Sequence, residues 1–77
     1  MIKIKNIAQE NNKISMLVMI NGKEDNSFSL VLDADSLEEL ENSSGAESAY
    51  SGHARTKIYS LLKESPILPT ETISYWC

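Results

Sequence analysis

Two stretches of the chain alternate apolar and polar residues. One is Ile14-Ser15-Met16-Leu17-Val18-Met19-Ile20 and the other is Ser27-Phe28-Ser29-Leu30-Val31-Leu32-Asp33. Asn21-Gly22-Lys23-Glu24-Asp25-Asn26 separates them. Period-two alternation is the signature of a strand, and two such runs around a turn-forming break predict a β-hairpin. Ile2-Lys3-Ile4-Lys5-Asn6-Ile7 alternates as well, which predicts a first strand over roughly residues 2–9. Glu10-Asn11-Asn12-Lys13 is a polar break suited to a turn, because asparagine tolerates positive φ. A second strand then covers residues 13–20. It carries apolar groups on both sides, with Ile14, Met16, Val18 and Ile20 on one and Leu17 and Met19 on the other. Such a strand is expected to be central in its sheet and covered on both faces.

The register of the second hairpin follows from the side chains. A tight two-residue turn at Asn21-Gly22 would set Ile20 opposite Lys23 and point the two apolar faces in opposite directions. A loop over residues 21–25 sets Val18 opposite Phe28 and Met16 opposite Leu30, and the apolar faces then agree. A one-residue slip turns a whole face over, so the longer loop or a bulge is expected.

Beyond the hairpin the period changes. Asp33-Ala34-Asp35-Ser36-Leu37-Glu38-Glu39-Leu40-Glu41 reads as a strand exit into a short helix. Ser36 with Glu39, or Asp35 with Glu38, matches a capping box, and Leu37 and Leu40 form a small apolar face. A longer helix is predicted over about residues 46–64, capped by Ser44 and Glu47. Its stripe is Tyr50, Ala54, Ile58, Leu61 and Leu62. Gly52 interrupts this helix and implies either a close helix–sheet contact or frayed first turns. Ser65-Pro66 and Pro69 end it. Residues 70–76 are rich in β-formers and predict a last strand or an extended arm. A right-handed crossover would run that strand parallel to the third strand, beside the first. The expected fold is one α+β domain over residues 1–77. It is an antiparallel β-meander of three strands, a short helix, a longer amphipathic helix packed on the sheet, and a C-terminal strand, ββααβ-like.

Length and charge narrow the roles open to such a domain. At 77 residues a chain buries only about 60–65% of its unfolded surface, so its stability is marginal unless something supplements the core. Cys77 is the only cysteine, which excludes an intrachain disulfide. His53 and Cys77 are too few for a structural metal site of the usual kind. Oligomerisation or an unusually good core is what remains, and a homodimer is expected through a sheet edge or the 70–76 segment. The net charge of −4 disfavours binding to nucleic acid and to anionic membranes. No apolar run is long enough to span a bilayer. Met1-Ile2-Lys3-Ile4-Lys5 lacks a signal-peptide core and cleavage site, so a cytoplasmic protein is expected.

Candidate chemistry is sparse. Asp33-x-Asp35 opens like a calcium loop, but Leu37 and Glu38 stand where that loop needs a ligand and a glycine. The acidic segment is better explained as helix capping. Glu38, Glu39 and Glu41 together could instead mimic phosphates, as in a phage- or mobile-element-type inhibitor. His53 has Tyr50 and Lys57 as helical neighbours, a group that could bind an anion or serve a pH-sensitive contact, beside a possible ligand pocket of an accessory subunit. A solvated or helix-capping histidine is the simpler explanation. Lys3, Lys5, Lys13 and Lys23 read as protection of strand edges against aggregation, in preference to a nucleic-acid stripe. Cys77 matches no prenylation box and is read as incidental. Tyr75 and Trp76 either close the core or form an interaction surface. No catalytic, cofactor or metal constellation is visible. The expectation is therefore a small non-enzymatic protein-interaction or regulatory module, self-associating. The candidate surface residues are Tyr75, Trp76, Glu38, Glu39, Glu41 and His53.

Overall fold

The structure is a computed structural model that describes residues 1–45 and 48–75. Five strands and one helix follow one another as β1 (Ile2–Glu10), β2 (Lys13–Ile20), β3 (Ser27–Asp33), β4 (Glu39–Asn42), α1 (Ala49–Glu64) and β5 (Thr72–Ser74). The strands form a single sheet in the order β4-β3-β2-β1-β5, and every neighbouring pair is antiparallel. The fold class is α+β, with the helix on one face.

The turns explain the first three strands. Glu10 pairs with Lys13 across a two-residue turn in which Asn11 and Asn12 both take positive φ, 52° and 61°. That is the twist-compatible hairpin turn that asparagine favours. Between β2 and β3, Ile20 N–H donates to the Asn26 carbonyl at 2.9 Å and closes the loop over residues 21–25. Val18 consequently faces Phe28, and Met16 faces Leu30, which is the register that aligns the apolar faces. In β1 the pairing jumps between Lys5 and Ala8, and Asn6 sits at φ 55°. This bulge inserts one extra residue, so that Ile7 returns to the face that already holds Ile2 and Ile4.

The core lies between that face and α1. Ile2, Ile4, Ile14, Val18, Leu30 and Leu32 from the sheet, with Ala54 and Ile58 from the helix, are fully buried. Leu37, Leu62 and Leu68 pack around them. The helix stripe is shifted slightly from the expected one. Ser51 is buried, while Tyr50 is exposed and Leu61 is half-buried. Ser48 caps the helix and Ser51 occupies its third position, each hydroxyl accepting from the other's backbone N–H. This is the capping box, four residues later than the Ser44–Glu47 pair; Glu47 lies outside the described residues. Gly52 is not at a close contact, because a Cβ there would meet open space.

Three expectations are corrected. Residues 33–41 form no helix: they turn and become β4. One Asp33 carboxylate oxygen accepts from Asp35 N–H at 2.8 Å and Ser36 N–H at 3.0 Å, and the Ser36 hydroxyl accepts from Glu38 N–H at 3.2 Å. These capping groups serve an Asx turn, the competition that short polar side chains always offer a helix. Leu37 at φ 61° then turns the chain back, and Asp33 N–H donates to the Glu38 carbonyl at 2.9 Å. The extra strand also reverses the direction in which the chain re-enters the sheet, so β5 runs antiparallel to β1, with Ile2 opposite Ser74. Finally, β2 is central but the helical layer covers only one of its faces.

Candidate interaction surface

Each strand of the sheet presents its alternate residues on the side away from α1. β2 contributes Ser15, Leu17 and Met19, and β3 contributes Ser27, Ser29 and Val31, because the intervening residues are the buried ones. Register places these side by side: Ser15 with Val31, Leu17 with Ser29, and Met19 with Ser27. β1 adds Lys3 beside Met19 and Lys5 beside Leu17. β4 adds Glu41 beside Val31, and β5 adds Ile73 beside Lys3. Leu17 and Val31 are half-buried, Ile73 is 38% exposed, and Met19 is only 3% exposed. The face is thus basic on the β1 side and acidic on the β4 side.

The sheet edges offer less. β4 has four residues and β5 three, so neither presents a long row of unpaired backbone groups. β5 adds to its own chain's sheet and is not a free arm. It also covers β1 over Ile2–Ile4, so Lys3 lies inside the sheet and its role is not edge protection.

The expected surface residues are dispersed. Tyr75 follows β5 and is 74% exposed, so it does not close the core; Trp76 and Cys77 lie outside the described residues. His53 is half-buried on α1. The three glutamates diverge. Glu38 is exposed in the turn, Glu41 stands on the open face, and Glu39 lies opposite Leu32 on the core side. There Glu39 accepts from the Asn42 side-chain amide through one oxygen, while its other oxygen is buried and without a hydrogen-bond partner. A phosphate mimic would need these carboxylates in one row. The Asp33 carboxyl is held below the usual carboxylate range, chiefly by the backbone N–H of Ser36 and then that of Asp35. Its acceptor capacity thus serves the turn. Among the described residues no group of three His, Cys, Asp or Glu could hold a metal ion. Among them, too, no helix is long and apolar enough to cross a membrane.

A concavity of about 410 Å3 lies between α1 and the β3–β4 turn, lined by Ser36, Leu37, Gly52, Arg55, Thr56 and Tyr59. Arg55 Nε donates to the Leu37 carbonyl at 3.0 Å, and the Lys63 ammonium sits 5.3 Å from the centre of the Tyr59 ring. This groove is on the Arg55–Tyr59 side of the helix, away from the Tyr50–His53 position expected for a pocket. Sequence reasoning misses it because its far wall is a turn whose capping residues predict a helix. The open face escapes for another reason: Leu17 and Met19 stand out in the alternation, but the serines opposite them carry no signal of their own. No protein-family model matches the chain, and no curated protein or solved structure is significantly similar to it.

Proposed function

We propose that this chain is a small, cytoplasmic, non-enzymatic protein-interaction or regulatory module that self-associates. The observation that carries this reading is the sheet face over which, among the described residues, no helix lies. It holds half-buried Leu17 and Val31 between Lys5 on the β1 side and Glu41 on the β4 side, with exposed Ile73 beyond Lys3 and Met19 already buried. An apolar strip of that kind on a small chain marks an interaction site. A domain of this size also gains most from area buried against a partner. Size-exclusion chromatography with multi-angle light scattering in reducing buffer tests it. A dimer is expected at high micromolar concentration, and a clean monomer there overturns self-association.

The groove at Arg55 favours a second reading, a small-ligand-binding accessory subunit. Its guanidinium lines a concavity with two hydroxyl side chains and an aromatic wall, a combination suited to an organic anion. A thermal-shift screen of carboxylates and phosphate monoesters checks this, and the absence of any shift argues against a pocket.

A further inference from the structure

We infer that the open sheet face is the interface of a two-fold dimer of this chain, with the symmetry axis parallel to the strands and passing between β2 and β3. This rests on the self-association proposed above and specifies its geometry. The geometry follows from the pairing of sizes along the centre of the face. Each row across β2 and β3 joins one bulky apolar residue to one serine: Ser15 with Val31, Leu17 with Ser29, Met19 with Ser27. A two-fold along the strands leaves every row at its own level and exchanges β2 with the partner's β3. Leu17 then stands over Ser29 of the second copy and Val31 over its Ser15, while Met19 is already covered within its own chain. Large meets small in the Leu17–Ser29 and Ser15–Val31 rows, which is how facing sheets interdigitate at a separation of about 10 Å. A two-fold perpendicular to the strands would set β2 on β2 and β3 on β3, and the rows would not match.

The charges select the same axis. It places β1 above the partner's β4, three strand positions away on the opposite side of the axis. Lys5 lies in the Leu17–Ser29 row and Glu41 in the Ser15–Val31 row, one row apart. That offset is about 6.7 Å along the strand, within the joint reach of a lysine and a glutamate. Among the described residues no ion pair within the chain occupies Lys5 or Glu41. Like charges at these positions would oppose every other stacking of β1 on β1 or β4 on β4. The area is sufficient as well. The molecule measures 29 × 24 × 19 Å, and covering a broad face on two such copies removes on the order of 1,000 Å2, the scale of a specific interface.

Charge exchange tests the geometry. Lys5→Glu and Glu41→Lys are prepared in the full chain, with circular dichroism to confirm folding, and sedimentation equilibrium measures the dimer dissociation constant at low salt. Each variant alone is expected to weaken the dimer at least tenfold, because it creates two like-charge contacts. An equimolar mixture of the two is expected to recover wild-type affinity as a heterodimer, since both contacts then join opposite charges. Ser29→Leu, at an exposed position, fills the space meant for Leu17 and is expected to abolish dimerisation while leaving the monomer folded. If the wild type is a dimer whose affinity none of these changes moves, the face-to-face geometry is overturned and self-association stands. If the wild type is a monomer throughout, both fall.

Discussion

The two faces of this sheet are built from the same strands, one residue out of phase, and they differ in every physical respect. On the helix side Ile2, Ile4, Ile14, Val18, Leu30 and Leu32 are fully buried. On the far side their immediate neighbours are Lys3, Lys5, Ser15, Met19, Ser29 and Val31, a mixture of charge, hydroxyl and scattered apolar groups. The first face accounts for why the chain folds, since dense apolar burial opposes the entropy lost on ordering. The second mixes exposed serines with half-buried Leu17 and Val31, at positions that can vary without emptying the core. Side-chain parity thus separates the core from the proposed interaction face.

The sharpest way to break that contrast is to truncate one residue from each face of β3. Leu30→Ala removes a fully buried side chain and is expected to cost about 3 kcal/mol in urea unfolding. Val31→Ser, one position along, is expected to cost at most about 1 kcal/mol in dilute protein, within the range of strand propensity. Equal costs would show that the open face is also part of the core.

A smaller effect is expected at Leu37, whose φ of 61° turns β3 into β4 and so sets which face Glu41 occupies. An L-residue there carries about 1–2 kcal/mol of backbone strain. Leu37→Ala loses the packing against the core and keeps the strain, whereas Leu37→Gly loses the packing and relieves the strain. The glycine variant is therefore expected to be the more stable of the two by about 0.5–1 kcal/mol. The reverse order in thermal unfolding would mean the turn is not strained.

The smallest effect concerns the same turn and pH. Because the folded state holds the Asp33 carboxyl below its ordinary range, its contribution is complete above that range. It is lost as acid carries the pH down through the lowered value. Asp33→Asn is expected to lower stability slightly at neutral pH, where the carboxylate's contribution is complete, and to converge with the wild type in acid, so that the fall of stability in acid is flatter. An unchanged acid limb would assign that pH dependence to other carboxylates.

Much of the fold was legible because period-two alternation is local. β2 and β3 begin and end where the alternation does, and their register follows from the need for two apolar faces to coincide. The bulge at Asn6 was not expected: Ile2–Ile7 reads as unbroken alternation, and only the pairing with β2 shows the extra residue that the three-residue step from Ile4 to Ile7 requires. Residues 33–41 mislead because an aspartate or serine that can cap a helix can equally close a turn, and both uses satisfy backbone N–H groups over the same few residues. Only the site of the next strand decides between them. The candidate surface is harder still, since a serine facing solvent carries no information until it is known which bulky residue stands beside it.

The amino-acid sequence by itself determined the meander, its register, the main helix and the burial of one face, all consequences of side-chain period and turn chemistry within a few residues. Tertiary structure alone decided that residues 39–42 form a strand and that β5 returns antiparallel to β1. It also decided that α1 covers only one side of the sheet. Those outcomes depend on which edges and faces remain unoccupied once the first three strands have paired, and that competition among distant segments is not encoded in any local pattern.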